Sequence, residues 1–212
     1  MTSNSPATEL SPEHGEMLLG VASRSIAHGL GEREPMNVLA EDFPVELQAV
    51  RATFVTLRIA GDLRGCMGTL SARSPMVADV AGNAFAAAFR DPRFSGLSAE
   101  EFSGTRISLS ILNDAEPIEF GSESELLGKV RPGVDGLILR HRSRRGLLLP
   151  SVWEVLPDPH EFLAHLKQKA DLSRDFWADD ITVERFTATS IIESRDESPE
   201  SRDCDGDIAD CS

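Results

Sequence analysis

The sequence predicts an α+β fold, and three observations carry the prediction. Short runs of alternating apolar and polar residues are joined by tight turns, which pairs neighbouring strands antiparallel. Between them lie segments with helical spacing, each opened by a cap residue or a proline. The chain of 212 residues is 41% hydrophobic, enough to bury a core as one domain or as two small lobes.

Taken in order, the polar, unpatterned segment 1–12 is expected to be disordered ahead of one domain over 13–193. Ser11 and Pro12 supply an N-cap and a first-turn proline. Leu18, Leu19, Ala22 and Ile26 follow at helical spacing, and Gly29 or Gly31 ends that helix. His14 and His28, at its two ends, read as solvated residues. Residues 41–48 are a connection. Thr53, Val55, Leu57 and Ile59 then alternate with Phe54, Thr56 and Arg58, the period of a strand. Ala60-Gly61-Asp62 is a turn, so Leu63 to Thr69 is the returning strand of a hairpin or the loop leaving it.

Ser74-Pro75 opens a helix through Val77, Val80, Ala84 and Ala88, whose small residues suit close packing on a sheet. It stops before Pro92, because the residue before a proline disfavours helical geometry. Ser98 with Glu101 forms a capping box, and so does Ser122 with Glu125 ahead of Leu126, Leu127 and Val130. Between those boxes, Ile107, Leu109 and Ile111 alternate with serines, the most regular strand of the chain. Residues 136–142 and 147–149 read as a second hairpin with its tip at 143–146. Asp158-Pro159 opens a helix through Phe162, Leu163, Leu166 and Ala170, and 181–192 is a last strand region.

Beyond Glu193, the segment 194–212 carries seven acidic residues against Arg195 and Arg202 and is expected to be a disordered tail. Its Asp203, Asp205 and Asp207 lack the glycine position and closing glutamate of a calcium loop, and Cys204 and Cys211 have no nearby histidines to make a zinc site. The net charge of −14 argues against general nucleic-acid or anionic-membrane binding. With no apolar run of about 18 residues, no leader pattern and only three cysteines, the expectation is a cytoplasmic protein in a reducing compartment. No phosphate loop, dinucleotide fingerprint or metal-ligand cluster is present, so neither a metal nor a cofactor is implied.

The stretch that draws attention is Leu63-Arg64-Gly65-Cys66-Met67-Gly68-Thr69. Cys66 stands between Gly65 and Gly68, which leaves little bulk around a thiol and lets a ligand or another backbone approach. Arg64 favours a thiolate if its head lies within a few ångströms of the sulfur. Strand alternation would place Arg64 and Cys66 on one face and Gly65 on the other. Asp91-Pro92-Arg93-Phe94 is the second distinctive stretch: Asp91 and Arg93 form a local ion pair in a helix-ending turn, or one of them points into a site. A third is the basic hairpin end of Arg140, His141, Arg142, Arg144 and Arg145, readable as a phosphate or acidic-partner patch or as a solvated tip.

Three functions fit these residues. Cys66 is a nucleophile or transient carrier, which needs a base or cation and oxyanion donors nearby. Alternatively Arg64 to Gly68 with Arg93 lines a binding cleft for an anion or peptide, which asks only for small residues and an arginine. In the third, Cys66 is a small buried residue and nothing more.

The motif Leu63 to Gly68 closely resembles the signature of the AMMECR-type domain family, whose bacterial and archaeal members are called AmmeMemoRadiSam system protein A. Further segments resemble the family in the same order: Ala86 to Phe94, Ile107 to Leu112, Pro132 to Leu137, Gly146 to Pro150, Phe162-Leu163, Lys169-Ala170 and Trp177. The resemblance spans about residues 13–192. Departures are Met67 where isoleucine is usual, Ser151 for glutamine and Asp171 for glycine. The resemblance implies an antiparallel sheet covered by helices, with a smaller second lobe. It implies an active or ligand-binding site at the signature, with Cys66 and Arg64 catalytic and Gly65, Gly68, Asp91 and Arg93 around the ligand. It also implies partnership with a MEMO-family protein and a radical S-adenosylmethionine protein in a shared modification.

Overall fold

A computed structural model describes residues 10–193. The two end segments expected to be disordered lie outside the described residues, apart from Leu10 to Pro12, as do Cys204 and Cys211. Helix α1 (Pro12–Glu32) opens as its sequence dictates, with the Ser11 hydroxyl accepting the His14 N–H. It runs past both glycines expected to end it and closes on Arg33 in the left-handed conformation (φ 62°). Gly29 serves packing instead: a Cβ there would lie 2.5–2.8 Å from the rings of Phe85 and Phe89.

Strands β1 (Thr53–Ile59) and β2 (Asp62–Gly68) form the expected hairpin, turned by Ala60 and Gly61, both at positive φ. Helix α2 (Met76–Phe89) starts after Pro75, and Ser74 does not cap it. Helix α3 (Ala99–Ser103) has the complete Ser98/Glu101 capping box, and strand β3 (Thr105–Leu112) follows. A three-residue strand β4 (Glu116–Ile118), too short to read from period, precedes α4 (Glu123–Lys129). The second hairpin is β5 (Gly136–His141) and β6 (Arg144–Leu148), with a two-residue tip tighter than expected and Arg142 at φ 55°. Arg144 and Arg145 are therefore strand residues. Helix α5 (Pro159–Lys169) is capped by Asp158, whose carboxylate accepts the N–H groups of His160 and Glu161.

The expected last strand is two strands. β7 (Thr182–Phe186) and β8 (Ala188–Ile192) belong to different sheets, and the chain crosses between them at Thr187. One antiparallel sheet has the order β2-β1-β3-β8, and the other β4-β7-β5-β6. The passage from β3 to β4 crosses between the same two sheets at Asn113. The two crossings are tied together: the Asn113 N–H donates to the Thr187 carbonyl at 2.9 Å, and its side-chain amide donates to the Thr187 hydroxyl at 2.7 Å.

The first sheet packs its apolar face on α1 and α2, burying Leu18, Val21, Ile26, Val55, Leu57, Val80, Ala84 and Leu109. The smaller second lobe buries Leu126, Leu137, Leu139, Phe162, Leu166 and Val183, with the Trp153 ring stacked on Phe162 at 3.8 Å. Ala52, Phe54, Leu112, Ile138, Leu147, Leu149 and Phe186 form the apolar junction between lobes. Fully burying one such Leu, Ile or Phe contributes about 1.5–3 kcal/mol, so the three clusters supply most of the driving force.

Candidate functional site

β2 is the edge strand of the first sheet, and its geometry follows from one extra residue. Thr56 pairs with Cys66 and Leu57 with Gly65, but Arg58 pairs with Leu63. Arg64 is thus the additional residue of a β-bulge, and it leaves the alternation expected for the strand. Gly65 and Cys66 still face opposite ways. Gly65 lies with Leu57 against α2, where an added Cβ would sit 2.1 Å from the Ala87 carbonyl oxygen. Cys66 lies with Thr56 on the face away from the helices, partly exposed, and the Thr56 hydroxyl donates to its sulfur at 3.3 Å. That is the sulfur's one side-chain hydrogen bond among the described residues, and no histidine is part of it.

An edge strand normally leaves every second N–H and C=O unpaired. At Cys66 both are occupied by the turn that ends α2. The buried Asp91 carboxylate accepts the Cys66 N–H at 2.9 Å, and the Arg93 guanidinium approaches the Cys66 carbonyl at 3.5 Å. Arg93 also donates to both Asp91 oxygens, at 2.9 and 2.6 Å, while half of its side chain stays exposed. The hydrogen bond from Arg93, aided by the N–H groups of Cys66 and Arg93, holds the Asp91 carboxyl well below the usual carboxylate range, although burial opposes this. The hydrogen bond to Asp91, joined by the Asp91 charge and opposed by burial, in turn keeps Arg93 protonated. The structure brings together Cys66, Asp91 and Arg93, while Gly65 faces Ala87 of α2 and Gly68 lies against Phe54 and Thr53.

Arg64 is placed elsewhere. Its guanidinium makes a two-pronged ion pair with Glu101, at 2.8 and 3.0 Å, and donates to the carbonyls of Ser95 and Gly96. Glu101 is already the capping-box residue of α3, accepting the Ser98 N–H at 2.9 Å. The Arg64 hydrogen bond, followed by that from the Ser98 backbone, lowers the Glu101 carboxyl to about 2. Both Arg64 and Arg93 lie within 6 Å of the Phe94 ring centroid, at 5.7 and 5.4 Å.

Sequence reasoning missed a second set of polar residues that fixes the end of the motif. One Asp79 oxygen accepts from the Thr53 N–H (2.9 Å), the Thr53 hydroxyl (2.7 Å), the Thr69 hydroxyl and the Asn83 amide (3.0 Å). Asn83 also donates to the Thr53 carbonyl. Asp79 and Asn83 are buried, one helical turn apart on α2. The available signal was that spacing: two polar residues at i and i+4 within an otherwise apolar helix.

The face that carries Cys66 continues across the sheet. Register places Cys66, Thr56, Ser108 and Ile192 in one row and Gly68, Phe54, Ser110 and Ser190 in the next. At the β8 end of this face a cleft of about 670 Å³ lies against the second lobe, lined by Ala188 and Ser190 together with Gly133, Val134, Pro150 and Trp153. Ligand clefts in proteins run to about 300–1,000 Å³, so the volume suits a small molecule or a short peptide. Among the described residues no group of three His, Cys, Asp or Glu is placed to hold a metal, and no helix is long and apolar enough to cross a membrane.

Fold and site together define a class: two-lobed α+β proteins with a cysteine on a clamped, glycine-flanked edge strand. The AMMECR1 family model matches residues 19–191, and the chain belongs to that family. Archaeal relatives agree over nearly the whole chain. A protein of Methanothermobacter thermautotrophicus is 36% identical over 181 residues, covering 84% of this chain and 94% of its own length. One of Pyrococcus furiosus is 37% identical over 202 residues, covering 90% and 93%. The crystal structure of an uncharacterized protein from Pyrococcus horikoshii superposes with a TM-score of 0.79 at 34% identity, covering 85% of this chain and 92% of that one.

Proposed function

We propose that the Leu63–Gly68 segment is the ligand site of this protein and that it works by binding, with Cys66 as its contact or attachment point. One observation carries the reading: the main chain of Cys66 is fixed on its outer edge by Asp91 and Arg93, while its thiol stays partly exposed beside a half-exposed guanidinium. Rigid backbone, small neighbours and one available cation suit recognition of an anionic group or a peptide carboxylate. Hydrolytic cysteine chemistry needs a base at the sulfur, and Thr56 is neutral at physiological pH. In this reading Arg64 holds α3, and Arg93 is the cation the ligand meets. The site serves a modification carried out together with a MEMO-family protein and a radical S-adenosylmethionine protein.

The test is a calorimetric titration of the full chain against the MEMO-family protein of the same organism, before and after carbamidomethylation of Cys66. Cys204 and Cys211 are replaced by serine so that one thiol reacts. At least a tenfold loss of affinity on alkylation is the expected result. Equal affinity before and after, or no association at all, contradicts it.

A further inference from the structure

A second polar cavity, of about 200 Å³, lies where the two lobes meet. Arg51, Leu70, Ser71, Asn113, Asp114, Arg140 and Arg145 are its polar and rim residues, over an apolar floor that includes Ile138 and Phe186. Arg145 of β6 reaches across to the loop after β2, donating to the Ser71 hydroxyl at 2.8 Å and to the Leu70 carbonyl. Its Nε is buried and has no partner. Arg51 has only the neutral Asn113 side chain, at 3.1 Å. Among the described residues none of Arg51, Arg73 or Arg145 has a carboxylate within ion-pair distance, whereas Arg140 is paired with Glu184 at 2.6 Å.

In a chain with net charge −14 this concentration is notable. Asp114 is the one carboxylate on the cavity wall, and Glu184 is already paired. Arg145 is half-buried, and among the described residues its buried Nε–H has no acceptor and no carboxylate lies within ion-pair distance of it, so its charge is only partly compensated. Burial, with the nearby charges of Arg140 and Arg73 and against that of Glu184, disfavours its protonated form. An anion in the cavity would offset that penalty.

We propose that the lobe junction is an oxyanion site, in which Arg145 and Arg51 bind a phosphate or carboxylate group of a small ligand. The charge of Arg73 is close enough to act on Arg145. The basic hairpin is then a binding element and not a solvated tip, because the tip is Arg142 and Ser143 while Arg145 faces the junction. The occupant joins β6 to the loop that follows Gly68, so it stiffens the connection between the second lobe and the Cys66 strand. This site does not depend on any role for Cys66.

The full chain is titrated calorimetrically with inorganic phosphate and, separately, with malonate, at constant ionic strength balanced with chloride. Saturable binding of one equivalent of either probe is expected, and the probe that binds identifies the group. Arg145→Gln should weaken that binding at least tenfold and Arg73→Gln about threefold. Arg144→Gln, on the same strand but directed at Asp171, should leave it unchanged. If Arg145→Gln does not fold, Arg51→Gln gives the same reading with an expected fivefold loss or more. Absence of saturable binding for both probes, or binding equal in the wild type and the folded Arg145→Gln or Arg51→Gln protein, overturns the proposal.

Discussion

The Asp91 carboxylate accepts the Cys66 backbone N–H at 2.9 Å, across a separation of 25 residues, and thereby closes the outer edge of β2 with a side chain where a further strand would otherwise pair. A buried carboxylate that takes an N–H and two prongs of an arginine is a strong anchor, because hydrogen bonds to charged groups contribute about 1.5–3 kcal/mol each. Asp91→Ala should therefore lower the unfolding free energy by about 2–3 kcal/mol, measured by urea denaturation at pH 7. A loss under about 0.5 kcal/mol, the size of an ordinary surface substitution, would mean the anchor is ornamental.

Acid should loosen the motif before it unfolds the lobes. The folded carboxyls of Asp91 and Glu101 lie below their ordinary values, Glu101 at about 2 against 4.5. Their stabilisation is therefore complete above the unfolded value and is lost as pH falls through the folded one. Thermal melts should show stability decreasing from about pH 4.5 toward pH 2, and less steeply in Glu101→Gln, which has no such proton to take up. Identical pH slopes for the two proteins would contradict the Arg64–Glu101 account.

Two glycines distinguish close approach from conformational freedom. Gly65→Ala places a methyl group 2.1 Å from the Ala87 carbonyl oxygen, and should cost about 1–3 kcal/mol or more as β2 moves off α2. Gly82→Ala, on the exposed side of α2 with nothing within 4 Å, should stabilise by about 0.5–1 kcal/mol through helix propensity. Paired chemical-denaturation curves decide it, and effects of the same sign at both positions would be the contrary result.

Asp79→Asn tests the buried network that sequence reasoning missed. Four donors converge on one Asp79 oxygen, including the Thr69 hydroxyl at the end of the motif. An uncharged amide accepts less strongly and brings donors of its own, so a loss of about 1–3 kcal/mol is expected. Hydrogen exchange at the Thr53 N–H should accelerate with it. Unchanged protection there would show that the network does not hold β1 to α2.

What was legible in the sequence was local. Ser11, the Ser98/Glu101 box and Asp158 announce helix starts within four residues of themselves, and the alternation of β1 and β3 is a two-residue period. The hairpin holding Cys66 could be read because its turn is adjacent. The bulge at Arg64 could not, since it is a property of register against β1 and not of β2's own residues. Arg64 looked like a neighbour of the thiol because it is one in sequence; its partner Glu101 is 37 residues away and looked fully employed as a cap. The break at Thr187 escaped for the same reason, because apolar residues run through 181–192 and only Asn113, distant in sequence, shows where the chain changes sheets.

Arg64 and Arg93 are separable by one readout each. Arg64→Met should raise the Glu101 carboxyl from about 2 toward its ordinary value, followed by NMR, and leave Cys66 alkylation unchanged. Arg93→Gln should do the reverse. Any variant that alters both readouts together would place the two arginines in one site.

The most direct test of Cys66 beside Arg93 as a ligand site is the ratio of its alkylation rates with iodoacetate and iodoacetamide, by intact mass, with Cys204 and Cys211 replaced by serine. The reagents are alike in size and differ in charge, so the ratio reports a cation at the thiol independently of how exposed it is. The expected result is a ratio at least threefold above that of the urea-unfolded protein, lost in Arg93→Gln. A ratio equal to that of the unfolded chain, or one indifferent to Arg93, contradicts the account.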